Sequence, residues 1–234
     1  MNPYVVETMK PKHGMIDHPL HNDNRSYDYE GFRDTDRPDY ADIVSMIPHG
    51  SRVIDLGCGN GALLQRLEKE RSVTGTGVEI SESGVQICRS KGLTVYQARI
   101  DEPLPYGDDV FEYAICHVTI QMVMYPEILV QEMRRIARFQ IISFPNFAFY
   151  KNRLELLTRG RMPKRMLFGY RWYSTGHIHQ LSMSDFLELV REIGGLKIIK
   201  QKSPSTTGRL KRLVMSAFPN LLQPLFIVLL QKQP

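Results

Sequence analysis

From residue 52 onward, apolar and polar positions fall into blocks of alternating type. Arg52–Leu56 is a short apolar run ending at glycines, the pattern of a buried strand. Ala62–Glu70 places Leu63, Leu64 and Leu67 on one helical face. Val73–Ile80 is β-branched and predicts a second strand. Ser83–Lys91 predicts a helix stopped by Gly92. Thr94–Ala98 and Phe111–Cys116 predict two more strands, the latter introduced by the turn-forming Gly107-Asp108-Asp109. Pro126–Ala137 has Pro at its start and arginines at its end, which suits a helix and its dipole. Phe139–Ser143 predicts a fifth strand, closed by Pro145-Asn146. Strands alternating with helices imply a parallel sheet covered on both faces.

The rhythm changes after residue 146. Residues 147–181 are basic and aromatic and read as an inserted, lid-like segment. Ser184–Ile193 predicts a helix ended by Gly194-Gly195. Leu196–Gln201 and Leu225–Gln231 predict two late strands with no convincing helix between them, hence an antiparallel pair at one sheet edge. Ahead of the repeating unit, residues 38–47 predict a short helix with Pro38 in its first turn. Residues 1–37 lack a period and read as an extension, a possible lid over a substrate pocket. The expected organisation is therefore an extension over 1–37 and one α/β domain over 38–234.

Composition narrows the class. The 234 residues suffice for one domain with a sizeable core. Cys58, Cys88 and Cys116 are too few and too scattered for a disulfide framework or a metal cluster. His13, His18 and His21 match no common zinc spacing, so no metal is expected. Met1–Lys12 is polar, without the apolar core of a secretory leader. Leu213–Leu230 is broken by Pro219, Asn220, Gln223 and Pro224, so no membrane span is expected either. The cytoplasm is the expected location. Residues 1–50 hold nine acidic and five basic side chains, whereas 151–175 hold seven basic and one acidic. A solvated face outweighs a nucleic-acid site as the reading of that basic segment.

The run that carries chemistry is Val53-Ile54-Asp55-Leu56-Gly57-Cys58-Gly59-Asn60-Gly61, joining the first strand to the first helix. Ligands of an open parallel sheet bind outside the carboxyl ends of its strands. The G-x-G-x-G spacing differs from the dinucleotide fingerprint G-x-G-x-x-G and lacks the Lys-Ser/Thr of a phosphate-binding loop. Glu79 ends the second strand, 18 positions after Gly61, where an acid can accept both hydroxyls of a ribose. Together they suggest a nucleoside ligand without a demanding phosphate site. A nicotinamide-type domain with a degenerate turn is the alternative.

Asp55-Leu-Gly-Cys-Gly-Asn-Gly61 resembles the first motif of class I methyltransferases that use S-adenosylmethionine (SAM), and Glu79 matches their ribose-binding acid. A narrower resemblance is to the MetW family of methionine biosynthesis, carried by Gly77-Val78-Glu79-Ile80, Ser143-Phe144-Pro145-Asn146-Phe147, Arg159-Gly160-Arg161-Met162-Pro163 and Trp172-Tyr173-Ser174-Thr175. The resemblance implies a Rossmann-like fold, SAM as cofactor, and binding through Asp55, Gly57, Cys58, Gly59, Gly61, Glu79, Ile80 and Asp101. It also implies an association with homoserine acetyltransferase. The chain departs from the pattern at Arg99, where such proteins usually carry an Asp for the adenine amino group. An arginine cannot accept that bond.

The leading expectation is methyl transfer to a small-molecule acceptor. The alternative is a SAM-binding accessory protein that partners a homoserine acyltransferase. His117, just after the fourth strand, is the candidate general base. Tyr27, Tyr29, Gln121, Asn146, Trp172, Tyr173, His177 and His179 are the candidate substrate contacts. Oligomeric state is left open, a homodimer included.

Overall fold

The computed structural model describes residues 29, 37–164, 172, 175–203, 215 and 217–233. Helix α1 (Pro38–Val44) leads into strand β1 (Arg52–Leu56), helix α2 (Ala62–Arg71), strand β2 (Thr74–Glu79), helix α3 (Glu82–Ser90) and strand β3 (Val95–Gln97). Strand β4 (Phe111–His117), helix α4 (Pro126–Ile136) and strand β5 (Ala137–Pro145) complete the parallel part. Helices α5 (Tyr150–Arg159) and α6 (Met183–Ile193), strand β6 (Leu196–Lys202), the single turn α7 (Pro219–Leu222) and strand β7 (Leu225–Lys232) follow. Each strand expected from the sequence is present, with ends shifted by up to two residues. Helix α5 and the turn α7 were not foreseen.

The seven strands lie in the order β3-β2-β1-β4-β5-β7-β6. β7 is antiparallel to both of its neighbours, so the reversed strand sits second from the edge. This is a Rossmann-like methyltransferase sheet with helices on both faces. Chain order reverses between β1 and β4, which are hydrogen-bonded neighbours, and their carboxyl ends form the crevice where such sheets hold ligands.

Alternation along β1 explains why both faces are filled. Val53 packs with Leu63, Leu67, Ile43 and Ile47 from α2, α1 and the residues just after α1. Ile54 and Leu56 point the other way, into a cluster with Leu129, Met133, Phe144 and Phe186. Leu64 turns toward Val85 and Cys88 of α3. Ends are well defined. α3 starts with Ser81 accepting from the Gly84 amide, and α6 starts with a capping box between Ser182 and Asp185. No helix among the described residues is long and apolar enough to cross a membrane.

Candidate functional site

The turn after β1 is built from three glycines with positive φ, Gly57, Gly59 and Gly61. Two of them are held by packing. A side chain at Gly57 would stand 2.7 Å from the Thr119 methyl, and one at Gly61 would strike Leu93 and Cys88. Gly59 faces differently. A Cβ there would point at the ring of Tyr29, whose hydroxyl would be 3.2 Å away. Tyr29 is tied down by its amide, which donates to Ser83 Oγ at 2.9 Å. The described part of the N-terminal extension thus lies over the glycine turn and the start of α3.

Glu79 is buried at the end of β2. One carboxylate oxygen accepts from the Gly59 amide at 2.7 Å and the other from the Ser81 amide at 2.9 Å. It therefore holds the turn against the start of α3. Asp55 is fully buried, and its Oδ1 has no hydrogen-bond partner. Burial, reinforced by the Glu79 charge, pushes its carboxyl up to about 7. A buried acid with an unmet acceptor suits a cationic or donor-rich ligand group. Gln121 adds a second unmet acceptor. Its Oε1 is buried without a partner while its Nε2 donates to the Val118 carbonyl at 3.2 Å.

His117 takes a different place from the open rim expected of a base. Only 7% of its side chain is exposed. Nε2 lies 3.2 Å from Asp39 Oδ2, and Nδ1 lies 2.6 Å from Ser143 Oγ. Ser143 Oγ also accepts from the Val118 amide at 3.0 Å. Nδ1 shares a hydrogen bond with the Ser143 hydroxyl, whereas Nε2 sits beside the Asp39 carboxylate without an aligned hydrogen bond. Burial and the nearby Arg37 charge lower the imidazole, although Asp39 opposes them. Burial alone would raise Asp39, but His117 and Arg37 together hold it well below the usual carboxylate range. Nδ1 is engaged inside the protein, and Nε2 faces the Asp39 carboxylate in a buried position. The next residue, Val118, is β-branched yet has φ 53, a conformation costing about 1–3 kcal/mol that its surroundings must impose.

Other expected residues have structural partners. Asp101 accepts from the Met124 and Tyr125 amides and pairs with Arg99 at 2.7 Å, so it fastens the loop before α4. Arg99 also pairs with Glu102. Asn146 is fully buried. It donates to the Asn220 and Gln223 carbonyls and accepts from the Ala148 amide, which binds the end of β5 to α7. The Ile80 carbonyl accepts from Gln97. Cys58 Sγ lies 4.0 Å from Cys88 Sγ in the packing behind the turn. The His179 amide donates to the Gln121 carbonyl, and its ring lies 3.3 Å from the Met124 carbonyl oxygen. His177 is buried and Trp172 largely exposed. Tyr27 and Tyr173 lie outside the described residues, as do His13, His18 and His21. Among the described residues no cluster of His, Cys, Asp or Glu could hold a metal ion.

Sequence reasoning passed over Asp39, Ser143 and Thr119. All three make contacts with residues far away in the chain, and nothing in their local spacing announces them.

This geometry can be set beside known proteins. The family model described as methionine biosynthesis protein MetW matches residues 37–230. The bifunctional methionine biosynthesis protein MetXA/MetW of Rhodopirellula baltica is 34% identical over 165 residues, which is 66% of this chain. The match spans only 26% of that protein. A SAM-dependent methyltransferase of Thermotoga maritima superposes with a TM-score of 0.54 at 18% identity, covering 83% of this chain and 87% of its own. The [4+2]-cyclase SpnF superposes with a TM-score of 0.59 at 16% identity, covering 84% and 82%. At such identities the structural likeness speaks for the fold alone, and the cyclase shows that the fold hosts more than one chemistry. The family match covers most of the chain, and on it this protein belongs to the MetW family.

Proposed function

We propose that this chain binds SAM at the carboxyl ends of β1 and β2. The observation that carries the reading is the pairing of Glu79 with the Gly59 amide, which presents a carboxylate beside the glycine turn. Glu79 would accept the ribose hydroxyls, Asp55 and the glycine turn would border the amino-acid end, and Tyr29 would close over the nucleoside. When bound, SAM supplies an electrophilic methyl group. This chain's residues then have to align an acceptor and exclude water.

For the use of that methyl, transfer to a small-molecule acceptor is the direct reading of the fold. A second reading, a SAM-binding accessory to a homoserine acyltransferase, is favoured by the relative that joins MetXA and MetW in one protein. The burial of His117 also favours it, because a base role needs a ring nitrogen that an acceptor can reach. We therefore place His117 as a positioning residue that ties α1 to the ends of β4 and β5. The extension over 1–37 acts as a lid in both readings, and the cytoplasm is the proposed location.

Calorimetry with SAM and with S-adenosylhomocysteine tests the cofactor. Binding of either in the micromolar range supports the reading, and binding of NAD with neither of them would overturn it. Transfer of a labelled methyl to a metabolite, set against a stable complex with the acyltransferase, separates the two uses.

A further inference from the structure

The space behind the glycine turn is filled in part by two thiols. Cys58 belongs to the turn, between Gly57 and Gly59, and Cys88 lies in the last turn of α3. Both are free and buried, with their Sγ atoms 4.0 Å apart. Neighbours crowd them closely. A Cβ at Gly77 would stand 2.6 Å from Cys58 Sγ, and one at Gly61 would stand 2.8 Å from Cys88 Sγ. The backbone on either side is fixed as well. The Gly57 and Cys58 amides both donate to the Val78 carbonyl, and the Lys91 amide donates to the Cys88 carbonyl. Cys88 Sγ also donates to the Gly59 carbonyl at 3.3 Å. Gly59 is therefore held on both sides, its amide by Glu79 and its carbonyl by Cys88. One residue further on, the Asn60 carbonyl accepts from the Lys91 ammonium at 2.9 Å. The contact with Cys58 pulls the Cys88 thiol down and Lys91 helps, against burial and the Asp55 and Glu79 charges.

We propose that Cys58 and Cys88 are a redox modification site: a peroxide joins them in a disulfide, and closing that bond releases the ligand of the glycine turn, a second step that rests on the SAM reading above. One sulfur takes an oxygen from hydrogen peroxide as a sulfenic acid, and water leaves. The other thiol attacks that sulfur, the S–S bond forms, and a second water leaves. Two thiols thus lose two electrons and two protons while one peroxide is reduced to two waters. A peroxide suits a pair this enclosed because it is little larger than water, and Cys58 keeps 8% of its surface exposed. The turn feels the bond directly. Sulfurs now 4.0 Å apart must close to about 2 Å, which draws the turn and α3 together. The S–H that holds the Gly59 carbonyl is lost, so the residue paired with Glu79 loses one of its two tethers. In a reducing cytoplasm such a bond is transient, as a sensor requires. Coupling is reciprocal, so a ligand that prefers the reduced turn protects the pair from oxidation by the same factor.

The test uses the full chain, with hydrogen peroxide as oxidant and S-adenosylhomocysteine as probe. Wild type, Cys88→Ser, Cys88→Ala and Cys116→Ser are each compared with their own untreated sample. After peroxide and alkylation of the remaining thiols, a non-reducing peptide map should link Cys58 to Cys88 in wild type and in Cys116→Ser. In calorimetry these two proteins should lose affinity by roughly tenfold or more and regain it with dithiothreitol, whereas both Cys88 variants keep their own affinity. Tenfold tighter binding to the reduced form should raise the reduction potential of the pair by about 30 mV at saturating ligand. Absence of the Cys58–Cys88 link overturns the site. A link with unchanged affinity overturns its control of the ligand. Equal loss in the Cys88 variants assigns the effect to a single sulfur and overturns the pair. If reduced wild type binds no S-adenosylhomocysteine, the SAM reading fails and the control of the ligand with it, while the peptide map still decides the pair. The wild-type map and titration stand on their own where a Cys88 variant folds poorly.

Discussion

The glycine turn and helix α5 both flank the carboxyl edge of the sheet, but they are built in opposite ways. Around the turn nearly every side chain is buried, with Asp55, Glu79, Leu64 and Cys88 all packed. The backbone there is set by contacts, since Gly57 and Gly61 leave no room for a Cβ. In α5 the apolar residues face outward and its start is secured mainly by backbone-directed bonds from Asn152 and Arg153. A preorganised turn suits a small ligand, because little ordering remains to be done on binding. The same edge of the sheet therefore joins a packed, preorganised turn to a helix whose apolar residues face outward.

The largest break in this comparison should come at the turn. Gly59→Val is expected to abolish binding of S-adenosylhomocysteine in calorimetry, since a β-branched side chain would fill the space between the turn and Tyr29 and is strained at φ 57. Retained affinity would show that the ligand does not approach this turn.

Next in size is Leu64→Ala. Leu64 is fully buried between α2 and α3, and the loss should be about 2–5 kcal/mol in denaturant unfolding. Leu157→Ala, on the exposed face of α5, should stay within about 0.5 kcal/mol. Equal losses would mean that this face is already packed.

Glu79→Ala should weaken S-adenosylhomocysteine by about 1.5–3 kcal/mol, the range for hydrogen bonds to a charged group. A wild-type dissociation constant would remove the ribose role. Asp55→Ala should cost less affinity.

Asp55→Asn has a pH signature. The folded carboxyl sits at about 7, above its ordinary value, so the native state binds more protons than the unfolded chain between roughly pH 4 and 7. Stability is lost as pH rises through that window. The asparagine variant should therefore melt higher than wild type at pH 8 in the absence of ligand, and its advantage should shrink toward pH 4. A constant difference across that range would show that Asp55 keeps its charge in the fold. The sign is opposite for the Asp39–His117 pair. Both groups are lowered in the native state, so they contribute stability that is lost on acidification.

Much of this protein was legible in its sequence, for local reasons. The β1–α2–β2 unit follows from apolar periodicity and from glycines whose positive φ few other residues tolerate. Pro126, Arg134 and Arg135 mark the ends of α4 through backbone and dipole chemistry that acts within one turn. Glu79 was identifiable because the end of a strand beside a glycine turn is a position with a meaning of its own. Helix α5 was missed because its apolar residues do not face a core, so the usual periodicity argument has nothing to bury.

Other features were decided only in three dimensions. His117 was visible as a residue at a strand end, but its partners Asp39 and Ser143 come from α1 and β5, far along the chain. The same holds for Asn146, whose amide is taken up by carbonyls near residue 220, and for Asp101, which caps backbone amides before α4. Hydrophobic pattern and turn chemistry act over a few residues and can be read directly. Whether a polar side chain is spent inside the protein or left for a ligand depends on which distant donors and acceptors the fold brings within 3 Å or so, and only the packed chain decides that.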